Sequence, residues 1–213
     1  MVASQAIRAV IFDLGGVVLD SPLEVFLDFE ARHGLARGFL GTVVVRSGEH
    51  GAWAKLERGE LHLGAFYSAF DAEIAAAGAS VSSESLMAEV AGRSQVRWPM
   101  IEAVRRIRAS GRKVGALTNN WVSDDGQYDR MQALAREFDA FIESCKVGLR
   151  KPDPRIYEIA CEALGVAPAE AVFLDDIGSN LKAARALGMY TVKVTRPEAA
   201  LAELGGVLGL TLA

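Results

Sequence analysis

The sequence predicts an α/β fold, a doubly wound parallel sheet with a helical segment inserted after its first strand. Two observations support this prediction. From residue 99 onward, short apolar runs alternate with amphipathic segments of helical length. Residues 7–20 hold an isolated strand-like run, whereas residues 20–98 are mostly helical in pattern. Because strands that alternate with helices form a parallel sheet, we expect helices to cover both of its faces.

The composition is that of an ordinary globular protein, with 51% apolar and 23% charged residues in a chain of 213. A net charge of −4 argues against nucleic acid as the main partner, because phosphate backbones select basic surfaces. No apolar run approaches the roughly 20 residues of a membrane span, so we expect no membrane insertion. The oligomeric state is not readable from the sequence.

The cysteines and histidines show no metal or redox spacing. Cys145 and Cys161 are expected to be reduced and partly buried. Because we expect reduced cysteines, we expect a cytoplasmic protein. The N-terminal residues show no clear signal-peptide pattern. His33, His50 and His62 are expected at the surface.

The first strand is predicted from Ala9 to Phe12, and a carboxylate, Asp13, follows it directly. Asp is a poor strand residue and costly to bury, so we expect Asp13 where the strand leaves the sheet. Gly15 and Gly16 then allow a tight turn or a close approach of a ligand to the backbone. An Asp that simply caps a turn is the alternative at this point.

The segment 20–98 is predicted to be a mostly helical insertion that ends at Trp98-Pro99. Helices are expected over residues 23–33, 52–58 and 63–77, and again after the hydroxyl residues that begin at Ser82. The valine-rich run 42–45 predicts a strand. The aromatic residues of the segment are expected to form a helical core, with an apolar pocket above the site as the alternative for one or two of them: Trp53, Phe66, Tyr67 and Phe70.

The alternation of strands and helices begins at residue 99. Strands are expected over residues 113–118, 140–143, 171–174 and 190–194. Helices are expected over residues 99–110, 126–137, 154–164, 179–187 and about 197–204. The predicted division is therefore a core formed by residues 1–19 and 99–213, with a helical domain at residues 20–98.

Polar residues follow three of the predicted strands: Asp13, Thr118-Asn119 and Asp175-Asp176, with Lys151 in a loop before a helix. The carboxyl ends of parallel strands lie at one edge of a sheet, where ligands bind, so these groups can converge. Clustered carboxylates repel one another unless a hard cation neutralises them, and Mg²⁺ prefers such carboxylates together with water and substrate phosphate. Lys151 and Thr118 suit phosphate oxygens, and an Asp carboxylate suits nucleophilic attack.

Each of these residues alone has a simpler structural explanation. The pair Asp175-Asp176 suits a helix N-terminus, and Lys151 suits a solvated surface. The ordered set of carboxylates, hydroxyl, amide and ammonium favours a phosphate-handling site over these separate explanations.

The motifs, in this order, resemble those of the haloacid dehalogenase superfamily of hydrolases. Phe-Asp-Leu-Gly-Gly-Val at 12–17 resembles the first family motif, Leu-Thr-Asn at 117–119 the second, Lys151-Pro152 the third and Phe-Leu-Asp-Asp at 173–176 the fourth. Residues 116–121, 141–148 and 172–182 are similar to the phosphatase domains of soluble epoxide hydrolases and to a related domain of an acyl-CoA dehydrogenase family member. The resemblance implies a Rossmann-like core with an inserted cap domain, a Mg²⁺ cofactor and a small-molecule phosphate ester as substrate.

The resemblance also implies a role for each matching residue. Asp13 would be both the nucleophile and a metal ligand, and Asp176 would be a second ligand. Asp175 would either bind the metal or support a residue that does, and Gly15 would bind it through its backbone carbonyl. For the phosphate, Thr118 and Asn119 would hold it, Lys151 would neutralise it and orient Asp13, and Asn180 would support the site.

Gly15 departs from the family pattern, in which phosphatases usually carry a second Asp at this position as general acid and base. Such a group typically contributes about 10²–10⁴-fold to the rate. Asp20 is a candidate replacement, although it equally suits a turn. Two alternatives to a phosphatase stay open: a weak or inactive relative that binds a phosphorylated ligand or a protein partner, and a 2-haloacid dehalogenase, against which the pair Asp175-Asp176 argues.

Overall fold

A computed structural model describes residues 6–122 and 127–212 of the chain. The strands are β1 (Ala9–Phe12), β2 (Lys113–Thr118), β3 (Ala140–Glu143), β4 (Ala171–Asp175) and β5 (Tyr190–Lys193). The helices before β2 are α1 (Pro22–Arg32), α2 (Phe39–Ser47), α3 (Ala52–Glu57), α4 (Leu63–Ala76), α5 (Ser83–Arg93) and α6 (Trp98–Ala109). The helices after β2 are α7 (Gln127–Ala135), α8 (Ser144–Val147), α9 (Pro154–Leu164), α10 (Gly178–Ala186) and α11 (Pro197–Leu208).

The strands form one parallel sheet in the order β3-β2-β1-β4-β5. Phe12, the last residue of β1, lies level with Ala116 of β2 and Leu174 of β4. The carboxyl ends of the three central strands therefore meet at one edge. This topology confirms the predicted fold class.

The side chains of β1 alternate between two hydrophobic clusters. Val10 and Phe12 pack with α6 and α11 on one face of the sheet, whereas Ala9 and Ile11 pack with α9 and α10 on the other. All four side chains are buried. A strand buried on both faces explains why this run is continuously apolar rather than alternating.

Helices α1 to α5 form a helical layer with a hydrophobic cluster of its own. The Trp53 ring makes edge contacts with the rings of Phe26, Phe66 and Phe70, at centroid distances of 5.4, 5.6 and 5.7 Å. Trp121, from the loop after β2, packs on Trp53 at 5.9 Å and joins the layer to the sheet. The predicted aromatic core is confirmed, and the exact domain boundaries stay a prediction.

The two segments that connect the helical layer to the sheet lie side by side. Leu19 and Val96 form an antiparallel bridge. Beside it, the Arg97 backbone N–H donates to the Val18 carbonyl at 2.8 Å. The Arg97 guanidinium donates to the Gly16 carbonyl at 2.7 Å, so this pairing also holds the loop that follows Asp13.

The expectation of a strand over residues 42–45 is wrong, because these residues lie within α2. Val43 is 4% exposed and Val45 is 79% exposed, although two residues of a strand at this spacing share a face. The β propensity of valine is weak compared with the burial of one helical face. In addition, α8 was not predicted, and α11 extends past residue 204 to Leu208. The predicted start of a helix at residue 126 lies outside the described residues.

The remaining expectations about side chains agree with the structure. Cys161 is buried and Cys145 is partly buried, and both are free thiols. The three histidines are exposed. Among residues 6–122 and 127–212, no helix has the length and apolar character needed to cross a membrane.

Two matched substitutions test the assignment of α2. Val43→Ala is expected to lower the free energy of unfolding by about 1–3 kcal/mol, because buried methyl groups are lost and a cavity forms. Val45→Ala is expected to change it by no more than about 0.5 kcal/mol, because its side chain is exposed. Urea denaturation measures both values. Equal losses would contradict a helix at this position.

Candidate active site

The sheet edge collects the predicted polar residues. Asp13 follows β1, Thr118 ends β2, and Asp175 ends β4. Lys151 comes from the turn before α9 and its ammonium lies between two of the carboxylates. The Lys151 Nζ atom is 2.7 Å from Asp13 Oδ1 and 2.8 Å from Asp175 Oδ2. The convergence expected from the sequence is therefore present.

These charges are held out of water. Asp13 is 6% exposed, Lys151 is 2% exposed and Asp175 is fully buried. Burial raises the pKa of Asp13 above its usual value, and the Lys151 ammonium opposes that shift. Burial alone would lower the pKa of Lys151, but its contacts with Asp13 and Asp175 outweigh this effect and raise it. The two carboxylates thus keep the Lys151 ammonium charged inside the protein.

Asp175 accepts hydrogen bonds from several donors and so holds Lys151 in place. The Ile177 backbone N–H donates to Asp175 Oδ1 at 2.7 Å. The Asn180 amide donates to both Asp175 oxygens, at 3.2 and 3.1 Å. The Tyr157 hydroxyl in turn donates to the Asn180 carbonyl at 3.0 Å. With these bonds, Asp175 is suited to positioning Lys151, and the Asn180 amide in turn holds Asp175.

Asp176 differs from its neighbour because one of its oxygens is unsatisfied. Asp176 Oδ1 is buried and has no hydrogen-bond partner among the described residues. Carboxylate oxygens of Asp13, Asp175 and Asp176 lie within 4.8 Å of one another. Burial, and then the Asp175 charge, raise the pKa of Asp176 to about 6. An unpaired buried carboxylate oxygen in an all-oxygen cluster fits a hard divalent cation such as Mg²⁺.

Gly16 allows Asp176 to approach the loop after Asp13. Gly16 has φ of 81°, and a Cβ atom there would lie 2.3 Å from Asp176 Oδ2. Gly15 has no positive φ, and a Cβ atom there would lie 3.5 Å from the Pro22 ring, an ordinary contact. The close approach that the glycine pair suggested is therefore required at Gly16 and not at Gly15.

Asn119 lies at the site and its side chain bonds to the backbone of Lys151. The Lys151 backbone N–H donates to Asn119 Oδ1 at 2.8 Å, and the Asn119 amide donates to the Lys151 carbonyl at 3.1 Å. Thr118 is buried at the same edge, and its hydroxyl makes a long contact of 3.5 Å to the Asn119 carbonyl. The Thr118 hydroxyl is thus weakly held, whereas the Asn119 amide group is bonded to both backbone groups of Lys151.

A cavity of about 430 Å³ lies between the sheet edge and the helical layer. Asp13, Lys151 and Asp176 line it from the sheet side. From the layer come mostly apolar side chains: Leu23, Phe26, Val44, Val45, Trp53 and Ala54. The cavity can therefore hold a ligand with an anionic end at the carboxylates and lysine and an apolar part against the layer.

Asp20 is not among the residues that line the cavity with Asp13. It lines a second cavity, of about 130 Å³, which shares Gly15 and Asn119 with the larger one and also includes Thr118. Its carboxylate pairs with Arg97 Nε at 3.3 Å. This placement favours the interpretation of Asp20 as a turn residue in the segment that joins the sheet to the helical layer.

Two residues at the site were missed by sequence reasoning. Glu57 of α3 lies against Arg150, and Asn119 also donates to it. Glu57 and Arg150 are far apart in the sequence and belong to no local pattern, so nothing in the sequence pairs them. Arg150 directly precedes the Lys151-Pro152 motif, and this position is the one signal in the sequence that could have identified it.

The fold and site together define an α/β protein whose sheet edge carries a buried lysine and an acidic cluster with the donor set of a cation site. A family comparison matches residues 7–188 to the haloacid dehalogenase-like hydrolases. The chain belongs to this family.

Three curated relatives are informative. Acyl-CoA dehydrogenase family member 10 of Mus musculus is 39% identical, and bifunctional epoxide hydrolase 2 of Sus scrofa is 34% identical; each match covers 98% of this chain. The chain spans 20% of the mouse protein and 40% of the pig protein. The sesquiterpene phosphatase astK of Aspergillus oryzae is 27% identical, over 95% of this chain and 97% of that protein.

Solved structures show the same fold. A predicted HAD-like family hydrolase from Porphyromonas gingivalis has a TM-score of 0.70 at 21% identity, over 95% of this chain and 98% of the other. A HAD family enzyme from Bacteroides thetaiotaomicron, in complex with magnesium and inorganic phosphate, has a TM-score of 0.60 at 21% identity, over 88% and 94%. A dehalogenase with an intermediate complex has a TM-score of 0.66 at 21% identity, over 96% and 98%.

The two glycines after Asp13 should respond differently to the same substitution. Gly16→Ala is expected to lower the free energy of unfolding by at least about 1–2 kcal/mol, because its backbone is left-handed and the added methyl group meets Asp176. Gly15→Ala is expected to change it by less than about 1 kcal/mol. Chemical denaturation of both variants measures this difference. A Gly16→Ala variant as stable as Gly15→Ala would contradict the described contact.

Proposed function

We propose that the protein is a Mg²⁺-dependent phosphatase that hydrolyses a small organic phosphate monoester through an aspartyl-phosphate intermediate. The observation that carries the proposal is the unsatisfied Asp176 oxygen beside the ion pair of Asp13 and Lys151. This arrangement offers a nucleophile, a cation site and a fixed positive charge within one cavity. The name of the Aspergillus relative, a phosphatase, and the magnesium and phosphate bound by the Bacteroides enzyme support it.

Asp13, Asp176 and the backbone carbonyl of Gly15 would hold the Mg²⁺ ion. When bound, Mg²⁺ supplies positive charge that stabilises the transferring phosphoryl group. Asp175 is assigned instead to positioning Lys151, because its oxygens already accept hydrogen bonds from Ile177 and Asn180.

Asp13 would attack the phosphorus atom of the ester. A carboxylate oxygen of Asp13 forms a bond to phosphorus while the bond to the ester oxygen breaks, and the leaving alkoxide takes a proton from water. Water then attacks the phosphorus of the aspartyl-phosphate, which releases inorganic phosphate and restores Asp13. Lys151 lowers the pKa of Asp13 against the larger effect of burial and neutralises the phosphate, and the Thr118 hydroxyl would donate to a phosphate oxygen.

Gly15 removes the side chain that would protonate the leaving group. The missing general acid corresponds to roughly 3–5 kcal/mol of transition-state stabilisation for a poor leaving group. We therefore expect slow turnover of alkyl phosphates and faster turnover of esters whose alcohol leaves easily. Gly15 is also the observation that supports the second candidate, a catalytically weak or inactive relative that binds a phosphorylated ligand or a protein partner. A dehalogenase needs no cation, and the open oxygen of Asp176 argues against it.

The lining of the cavity favours an apolar leaving group. Phe26 and Trp53 face the cavity from the helical layer. Leu23, Val45 and Ile177 also line it and are exposed large apolar side chains. An alcohol with hydrocarbon character would remove these surfaces from water, whereas a sugar would not.

Phosphate release from an aryl phosphate, with and without Mg²⁺, tests the function. Because a phenolate leaves without a proton, the wild type is expected to release phosphate in a Mg²⁺-dependent way despite Gly15. Asp13→Asn is expected to reduce this activity by about 10³-fold or more, because the nucleophile is lost. Asp20→Asn is the matched control and is expected to retain activity, since Asp20 pairs with Arg97 and does not line the cavity that holds Asp13.

The outcomes separate the candidates. Full activity in Asp13→Asn, or release that does not depend on Mg²⁺, would contradict the proposed mechanism. No release by the wild type, with Mg²⁺ still raising its melting temperature, would favour the binding relative.

A further inference from the structure

Glu57, near the end of α3, is a buried carboxylate with every oxygen engaged. It is 7% exposed. Its Oε1 atom accepts a hydrogen bond from the Trp53 indole N–H at 3.0 Å. Its Oε2 atom accepts from Arg150 Nε at 2.6 Å and from the Asn119 amide at 3.3 Å. A buried charge with this many directed contacts holds its partners in one geometry.

Both partners of Glu57 Oε2 hold Lys151. Arg150 precedes Lys151 in the chain, so an anchored Arg150 restricts the peptide that carries the lysine. Asn119 bonds to both the N–H and the carbonyl of Lys151, at 2.8 and 3.1 Å. Glu57 is therefore connected to Lys151 in two ways. One connection is through Arg150 and the backbone, and the other is through the side chain of Asn119.

Helix α3 is docked on the sheet domain close to this loop. Gly59, just after α3, has φ of 72°, and a Cβ atom there would lie 2.5 Å from the Cys145 carbonyl of α8. The backbones of the helical layer and of α8 thus meet directly. Glu57 extends from a fixed part of the layer rather than from a loose loop.

We propose that Glu57 is a positioning residue for Lys151, through which the helical layer sets the place of the ammonium beside Asp13. The proposal rests on the proposed function in that Lys151 acts on the phosphate. Misplacement of a reacting group by about 1 Å can reduce a rate by about 10²-fold. Loss of the Glu57 carboxylate should therefore reduce kcat by more than its effect on folding explains.

Glu49 offers a matched control, because its exposed carboxylate also pairs with the guanidinium of Arg150. Its carboxylate is 2.8 Å from Arg150 Nη1, and its side chain is 62% exposed. An exposed ion pair of this kind contributes little and is screened by salt. Glu49→Gln therefore removes the negative charge beside Arg150 without touching Asn119.

The experiment compares Glu57→Ala, Glu57→Gln, Glu49→Gln and Leu204→Ala. Leu204 is buried in α11, in the hydrophobic cluster on the side of the sheet that α6 covers. Leu204→Ala serves as a variant that destabilises the fold without contacting the site. The first measurement is the acylation rate of each lysine with acetic anhydride, followed by peptide mass spectrometry, with the exposed Lys113 and Lys182 as internal references. The second is kcat and KM for an aryl phosphate with Mg²⁺.

The proposal predicts a specific effect in the Glu57 variants. Glu57→Ala should raise the relative acylation rate of the buried Lys151 at least about tenfold and lower kcat by about 10–100-fold. Glu57→Gln keeps one oxygen acceptor and should recover part of both effects. Glu49→Gln and Leu204→Ala should leave both quantities within about twofold of wild type, at a temperature where all variants are folded.

Two results would overturn the proposal. One is a Glu57→Ala variant that loses stability like Leu204→Ala but keeps the wild-type acylation rate of Lys151, which would make Glu57 a structural ion-pair residue. The other is an equal effect of Glu49→Gln and Glu57→Ala. Absence of phosphatase activity in the wild type would contradict the proposed function, and the acylation rates would still decide the role of Glu57.

Discussion

The ammonium of Lys151 between the carboxylates of Asp13 and Asp175 is the contact on which the site depends. A charged amine in a buried position is strongly unfavourable unless it is paired and hydrogen-bonded. Lys151 meets that requirement with two carboxylates at 2.7 and 2.8 Å. Asp175 is in turn fixed by Asn180, so the ends of β1 and β4, the first turn of α10 and the loop before α9 form one connected unit. Removal of one member leaves the others with an uncompensated buried charge.

The charges of this unit do not balance by themselves. Asp13, Asp175 and Asp176 bring three carboxylates together, and Lys151 neutralises part of that charge. Burial, and then the charge of Asp175, raise the pKa of Asp176 to about 6, and one of its oxygens has no hydrogen-bond partner among the described residues. A bound divalent cation would remove the imbalance and leave the site electrostatically ready for an anionic substrate. Gly16 must lack a side chain for a steric reason, since the loop after Asp13 closes directly on Asp176.

Much of the fold and most of the site could be predicted because they depend on the order of strands and helices along the chain and on one topological rule. Strands that alternate with helices become parallel, and parallel strands bring Asp13, Thr118 and Asp175 to one edge. The strand expected at residues 42–45 failed because valine has a modest β propensity, whereas burial of Val43 against the helical layer decides the conformation. Glu57 could not be predicted, because its contact with Arg150 joins residues 93 positions apart. The role of Asn119 in holding phosphate stays a prediction, and the structure adds that its side chain bonds to the backbone of Lys151.

The most direct test of the account is the Mg²⁺ dependence of thermal unfolding at pH 5 and pH 7.5, for the wild type and Asp176→Asn. Because the pKa of Asp176 is raised to about 6, its carboxylate is mostly protonated at pH 5 and ionised at pH 7.5, and protons compete with the cation at the lower pH. The account predicts a clear rise in melting temperature with Mg²⁺ at pH 7.5, a smaller rise at pH 5, and little change in Asp176→Asn at either pH. An equal rise in both proteins, or no rise in the wild type at pH 7.5, would contradict a cation site at these carboxylates.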